Sequence, residues 1–75
     1  MHNFEGPVKC KIQLWGDVNS TRITQIFSLE VSCGEDENQL PLVTLEGELS
    51  DYAAVFGLLN YLYGQRLTLV SFQRL

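Results

Sequence analysis

The chain has one histidine, two cysteines and one tryptophan. No apolar run in it approaches the ~18 to 20 residues that a bilayer-crossing helix needs. Each scarcity narrows the function. His2, Cys10 and Cys33 are far apart, without a CxxC pair, so no familiar zinc spacing exists and no metal or other cofactor is expected. A base at position 2, beside the chain terminus, would be poorly held for catalysis. There is no phosphate loop, GxGxxG or nucleophile elbow, and Gly47 and Gly57 stand alone. The start, Met1-His2-Asn3-Phe4-Glu5, lacks the basic and apolar regions of a secretion signal, so a cytoplasmic protein without a membrane partner is the expectation. On that expectation the Asn19-Ser20-Thr21 sequon carries no sugar. Positive charge is also scarce: 5 Lys+Arg stand against 9 Asp+Glu, for a net charge of −4. A sequence pI near 4.6 argues against a protein whose work is neutralising nucleic-acid phosphates.

What is present is core material. Of the 75 residues, 45% are hydrophobic and 19% charged, enough for one buried core and too few for two. Residues 1–75 therefore read as one small domain, with 1–6 as a flexible N-terminus.

Val8, Cys10, Ile12 and Leu14 alternate with Lys9, Lys11 and Gln13, the pattern of a half-buried strand. After Gly16-Asp17 the segment Asn19–Phe27 places Ile23, Ile26 and Phe27 at helical spacing behind a capping Asn19 or Ser20. Its β-branched Thr21, Ile23, Thr24 and Ile26 would also suit a strand. Phe27, Leu29, Val31 and Cys33 alternate with Ser28, Glu30 and Ser32 as a second strand. Gly34-Glu35-Asp36-Glu37-Asn38-Gln39 is a solvated turn; it lacks the ligand order of a calcium loop. A third strand runs from Pro41 to Glu48, with Val43 and Leu45 on one face and Leu42, Thr44 and Glu46 on the other.

Ser50 is expected to cap a second helix that starts at Asp51 and runs to about Tyr63, with Gly64 as its left-handed stop and Arg66 beyond. A last strand spans Leu67–Phe72. Its inward face is ambiguous, because Leu67 and Leu69 compete with Val70 and Phe72.

Strand, helix, strand, strand, helix, strand is the split βαβ plan of an α+β, ferredoxin-like βαββαβ antiparallel sheet with both helices on one face. If Asn19–Phe27 is not helical, a small antiparallel sheet with one crossing helix remains. In the first plan one strand separates Cys10 from Cys33, roughly 9.6 Å at the usual strand spacing, so both are expected as free thiols on core faces. Lys9, Lys11 and Trp15 share the open face with Thr44 and Glu46, which points to cross-strand Lys–Glu pairs rather than an RNA-binding sheet.

The stretch Asp51-Tyr52-Ala53-Ala54-Val55-Phe56-Gly57-Leu58-Leu59-Asn60, with the closing Leu67-Thr68-Leu69-Val70-Ser71, resembles a pattern of small uncharacterised bacterial domains. Those carry an acid, two alanines, an apolar residue and Gly-Leu-Leu ahead of a Leu-rich strand. The resemblance implies no activity. Members often have Gln and His where this chain has Tyr52 and Phe56, so chemistry from that His does not carry over.

Glu46, Glu48 and Asp51 gather near the start of the second helix, and a solvated strand end beside a capped helix accounts for them. The informative feature is that helix. From Tyr52 to Tyr63 it holds no charged residue, which implies burial on more than one side. Val55, Leu59 and Leu62, with Tyr52 and Phe56, are expected to face the sheet. Ala53, Gly57, Asn60 and Gly64 then form a stripe of small residues, packed either on the first helix or, with Tyr61 and Tyr63, on a partner. The expectation is a non-enzymatic interaction module, a homodimer or the partner of another protein, that uses the apolar surface of the second helix or the last strand, with Ala53, Gly57, Asn60, Tyr61, Tyr63 and Gly64 at the interface. The alternative is a regulatory domain that senses a small metabolite at a dimer interface, with Asn60, Ser71 and Gln73 as its polar groups.

Overall fold

A computed structural model describes residues 6–75. It holds β1 (Val8–Trp15), α1 (Ser20–Phe27), β2 (Glu30–Glu35), β3 (Pro41–Leu49), α2 (Tyr52–Gly64) and β4 (Thr68–Arg74) in that order. The four strands form one sheet, ordered β2-β3-β1-β4, and every neighbouring pair is antiparallel. This is the ferredoxin-like βαββαβ plan, with β1 and β3 central and β2 and β4 at the edges. The expected flexible segment 1–6 lies, apart from Gly6, outside the described residues, as does His2.

The alternation in β1 decides the sheet's two faces. Val8, Cys10, Ile12 and Leu14 are buried, and the register sets Leu49, Gly47, Leu45 and Val43 of β3 opposite them. Ile23 of α1 and Val55, Leu58 and Leu62 of α2 close the same cluster, so both helices cover one face. The other face carries Lys9 opposite Glu48 and Lys11 opposite Glu46. Oppositely charged side chains on facing positions favour this register.

Asn19 caps α1, its Oδ1 accepting the Arg22 N–H at 3.0 Å. Ser28 ends the helix in the left-handed region at φ 57°, its N–H donating to the Thr24 carbonyl at 2.9 Å. With these caps, burial of Ile23 and the partial burial of Phe27 outweigh the β-branched residues. Ile26, expected on the inner face, is exposed, because Ile23 and Phe27, one turn apart, set the line of contact.

Phe27 therefore belongs to α1 rather than to the second strand, which starts only at Glu30. Gly47 has φ +154°, and a Cβ there would come within 2.9 Å of Leu29 Cδ2, so this glycine lets Leu29 lie against β3. Cys33 is exposed, against the expectation of a core thiol. It points to the helix side, opposite Val43, but sits at the far end of an edge strand that the eight-residue α1 does not reach across. Cys10 is fully buried, both thiols are free, and burial pushes the Cys10 thiol pKa up.

The β2–β3 turn is organised by Asp36. Its Oδ1 accepts the N–H groups of Asn38 at 2.8 Å and Leu40 at 3.0 Å, and its Oδ2 accepts the Trp15 indole N–H at 2.9 Å. The Leu40 bond above all holds this carboxyl below its ordinary pKa.

Asp51, not Ser50, caps α2: its Oδ1 accepts the Ala54 N–H at 2.9 Å, so the helix starts one residue later than expected. Gly64 remains helical. The left-handed residue is Arg66 at φ 62°, where the Leu67 N–H reaches the Leu62 carbonyl at 3.3 Å and the Arg66 N–H the Tyr63 carbonyl at 3.0 Å. That bonding pattern is a Schellman stop, and it sets Leu67 over Leu62.

A bulge settles the ambiguity of β4. Leu14 pairs with Leu69 and Gln13 with Ser71, leaving Val70 as the extra residue. The side-chain alternation shifts there, so Leu69 and Phe72 both face the helix side although they are an odd number of residues apart. Arg74 follows on that side and donates from Nη1 to Tyr52 Oη at 2.8 Å, with its guanidinium 5.5 Å from the ring centre.

Candidate interaction surface on α2 and β4

Helical geometry sorts the α2 side chains into four directions. Val55, Leu58 and Leu62 point into the core, with Leu59, Tyr52 and Ala54 half-buried beside them. Leu58 replaces Phe56, which was expected to face the sheet and is instead 65% exposed. On the α1 flank, Tyr61 packs edge-on against Phe27 with ring centres 5.6 Å apart. Ala53, Gly57, Asn60 and Gly64 face outward and are exposed. A Cβ on Gly57 or Gly64 would meet nothing within 4 Å, so the stripe does not pack on α1.

On the remaining flank, Tyr52, Phe56, Leu59 and Tyr63 recur at helical spacing towards β4, and Tyr63 is 83% exposed. Between this flank and β4 lies a groove of about 370 Å³. Buried Leu14 and Leu62 form its floor, Leu59, Leu67 and Leu69 its walls, and Asn60 and the Tyr63 hydroxyl are the polar side-chain groups that line it. Beyond the groove, Val70, Phe72 and, just after the strand, Leu75 join Leu69 as exposed side chains along an edge strand that has no further strand beside it among the described residues. The result is a continuous apolar strip from α2 across β4, of a kind associated with protein contacts.

The six residues singled out from sequence are thus divided. Ala53, Gly57, Asn60, Tyr63 and Gly64 lie on the outer and β4-facing sides of α2, whereas Tyr61 is engaged within the chain. Sequence reasoning placed Phe56 on the sheet and named the last strand as a possible contact surface without singling out Leu69, Val70 and Phe72, all of which are exposed. The two-sided apolarity of Leu67–Phe72 was the available signal, and only a bulge in the partner register explains it.

Charge is segregated along the sheet. Positions 30 to 51 carry seven acids and no Lys or Arg, and positions 52 to 75 carry Arg66 and Arg74 and no acid. Because β4 and β2 are opposite edges, one edge is basic and apolar and the other acidic.

Polar groups that could bind a metabolite do not converge. Asn60 lines the groove on the helix side, whereas Ser71 and Gln73 pair with Gln13 and Lys11 on the open face, where Ser71 Oγ and Gln13 Oε1 are 3.2 Å apart. Glu46 and Glu48 are exposed and Asp51 serves as a cap. Among the described residues no group of three His, Cys, Asp or Glu is placed to hold a metal ion, and no helix is long and apolar enough to cross a membrane. Compared with known protein families, curated proteins and solved structures, the chain matches none.

Proposed function

We propose that this chain is a non-enzymatic protein-interaction module that self-associates through the α2–β4 flank. The observation that carries this reading is the exposed strip of Phe56, Tyr63, Leu69, Val70 and Phe72 around an apolar groove, on a helix without a single charge. A small domain gains from covering such a surface, since its own core contributes little net stability. The outward Ala53, Gly57, Asn60 and Gly64 beside it would let another backbone approach α2 closely. The groove supplies adhesion and shape, and its polar lining, Asn60 and the exposed Tyr63, includes no His, Cys, Ser, Lys or carboxylate to pair as nucleophile and base.

Light scattering over a wide concentration range tests this. The wild type should rise above the 8.5 kDa chain mass as concentration increases, and Phe56→Ser with Tyr63→Ser should weaken that association about tenfold or more. A mass that stays at one chain throughout would overturn the reading.

A further inference from the structure

We infer that self-association is head to tail, the β4 edge of one copy receiving the β2 edge of a second. This rests on the reading above and names the partner surface. Three observations carry it.

The first is charge. Arg66 precedes β4 and Arg74 ends it, with no acid after Asp51. Glu30 and Glu35 bound β2, and Asp36 and Glu37 follow in the turn. A symmetric pairing of β4 with β4 would set one basic edge against another, whereas β4 with β2 sets basic against acidic.

The second is direction. Since β2 pairs antiparallel with β3, β3 with β1 and β1 with β4, β2 and β4 run in opposite directions across the sheet. A second copy in the same orientation therefore brings its β2 beside β4 as an antiparallel neighbour, and the sheet continues with all helices on one side.

The third is side-chain chemistry. Val31 and Cys33 of β2 lie on the helix side, opposite Leu45 and Val43, and Leu69 and Phe72 of β4 lie on that same side. The contact joins two apolar strips and satisfies the outer backbone groups of both edges, as strand addition does. A heterologous contact of this kind does not close on itself, so the assembly grows with concentration rather than stopping at two chains.

Two double variants test it: Arg66→Glu with Arg74→Glu, and Glu30→Lys with Glu35→Lys. Each should associate about tenfold or more weakly than the wild type, because each places like charges at the junction. Mixed in equal amounts they should recover association, since every junction between unlike copies is again complementary. Recovery also shows that both variants are folded. If the wild type associates and both variants associate as well as it does, the junction is not β4 with β2, and the inference fails while the α2–β4 reading stands. Failure of the mixture to recover also overturns the inference. A wild type that remains a single chain overturns both.

Discussion

Replacing Gly57 by alanine should stabilise the isolated chain by about 1 kcal/mol, the usual gain when a helix-interior glycine becomes alanine. The position decides the sign. Gly57 lies within α2 and is exposed, and an added Cβ would meet nothing within 4 Å, so no steric cost offsets the propensity gain. For a domain of 60 to 100 residues, 1 kcal/mol corresponds to roughly 4–8 °C in Tm. Thermal and urea unfolding followed by circular dichroism, at concentrations low enough to keep the chain monomeric, would read it. Gly47→Ala is the matched control: φ +154° and Leu29 Cδ2 at 2.9 Å make it strained and crowded, and it should lose about 1–3 kcal/mol. Loss of stability in Gly57→Ala would mean that the outward stripe is packed against the rest of the chain, and the assignment of α2's faces would be wrong.

Other consequences are as direct. In the native protein one thiol of the two, Cys33, should react rapidly with a thiol reagent, while Cys10 should react only on unfolding; equal rates would contradict the placement of Cys10 in the core. Because Asp36 titrates below its ordinary range in the folded chain, the stability it contributes is present at neutral pH and lost as pH falls from the ordinary aspartate value through the depressed one. Trp15 fluorescence should follow that acid step through the indole bond, and Asp36→Asn should remove it; an unchanged titration in the variant would sink the assignment.

Much of this fold is legible in sequence because its signals are local. The alternation of Val8 to Leu14 fixes both the strand and its buried face, and the order of six elements fixes the plan. Asn19 as a cap also follows from residue type. The misplaced details depend on distant partners. Whether Phe27 ends a helix or starts a strand depends on Leu29 reaching Gly47 in β3. The inward set of α2 shifts from Phe56 to Leu58 because the helix starts after Asp51 and is oriented by what β1 and β3 offer it. Cys33 has the pattern of a core residue and lacks only a cover, because α1 is short. The surface strip was half-visible: the uncharged helix and the two-sided apolarity of the last strand announced it, but that Leu69 and Phe72 share one face needed the bulge at Val70, which no single-strand pattern contains.

The most direct test of the α2–β4 surface is the concentration dependence of the backbone amide NMR spectrum of the wild-type chain, from dilute to millimolar. Shifts and broadening should rise with concentration and gather on Phe56, Tyr63 and β4, with those on β2 marking the second copy's edge. Spectra that do not change, or changes confined to the open face around Lys9, Lys11 and Thr44, would contradict it.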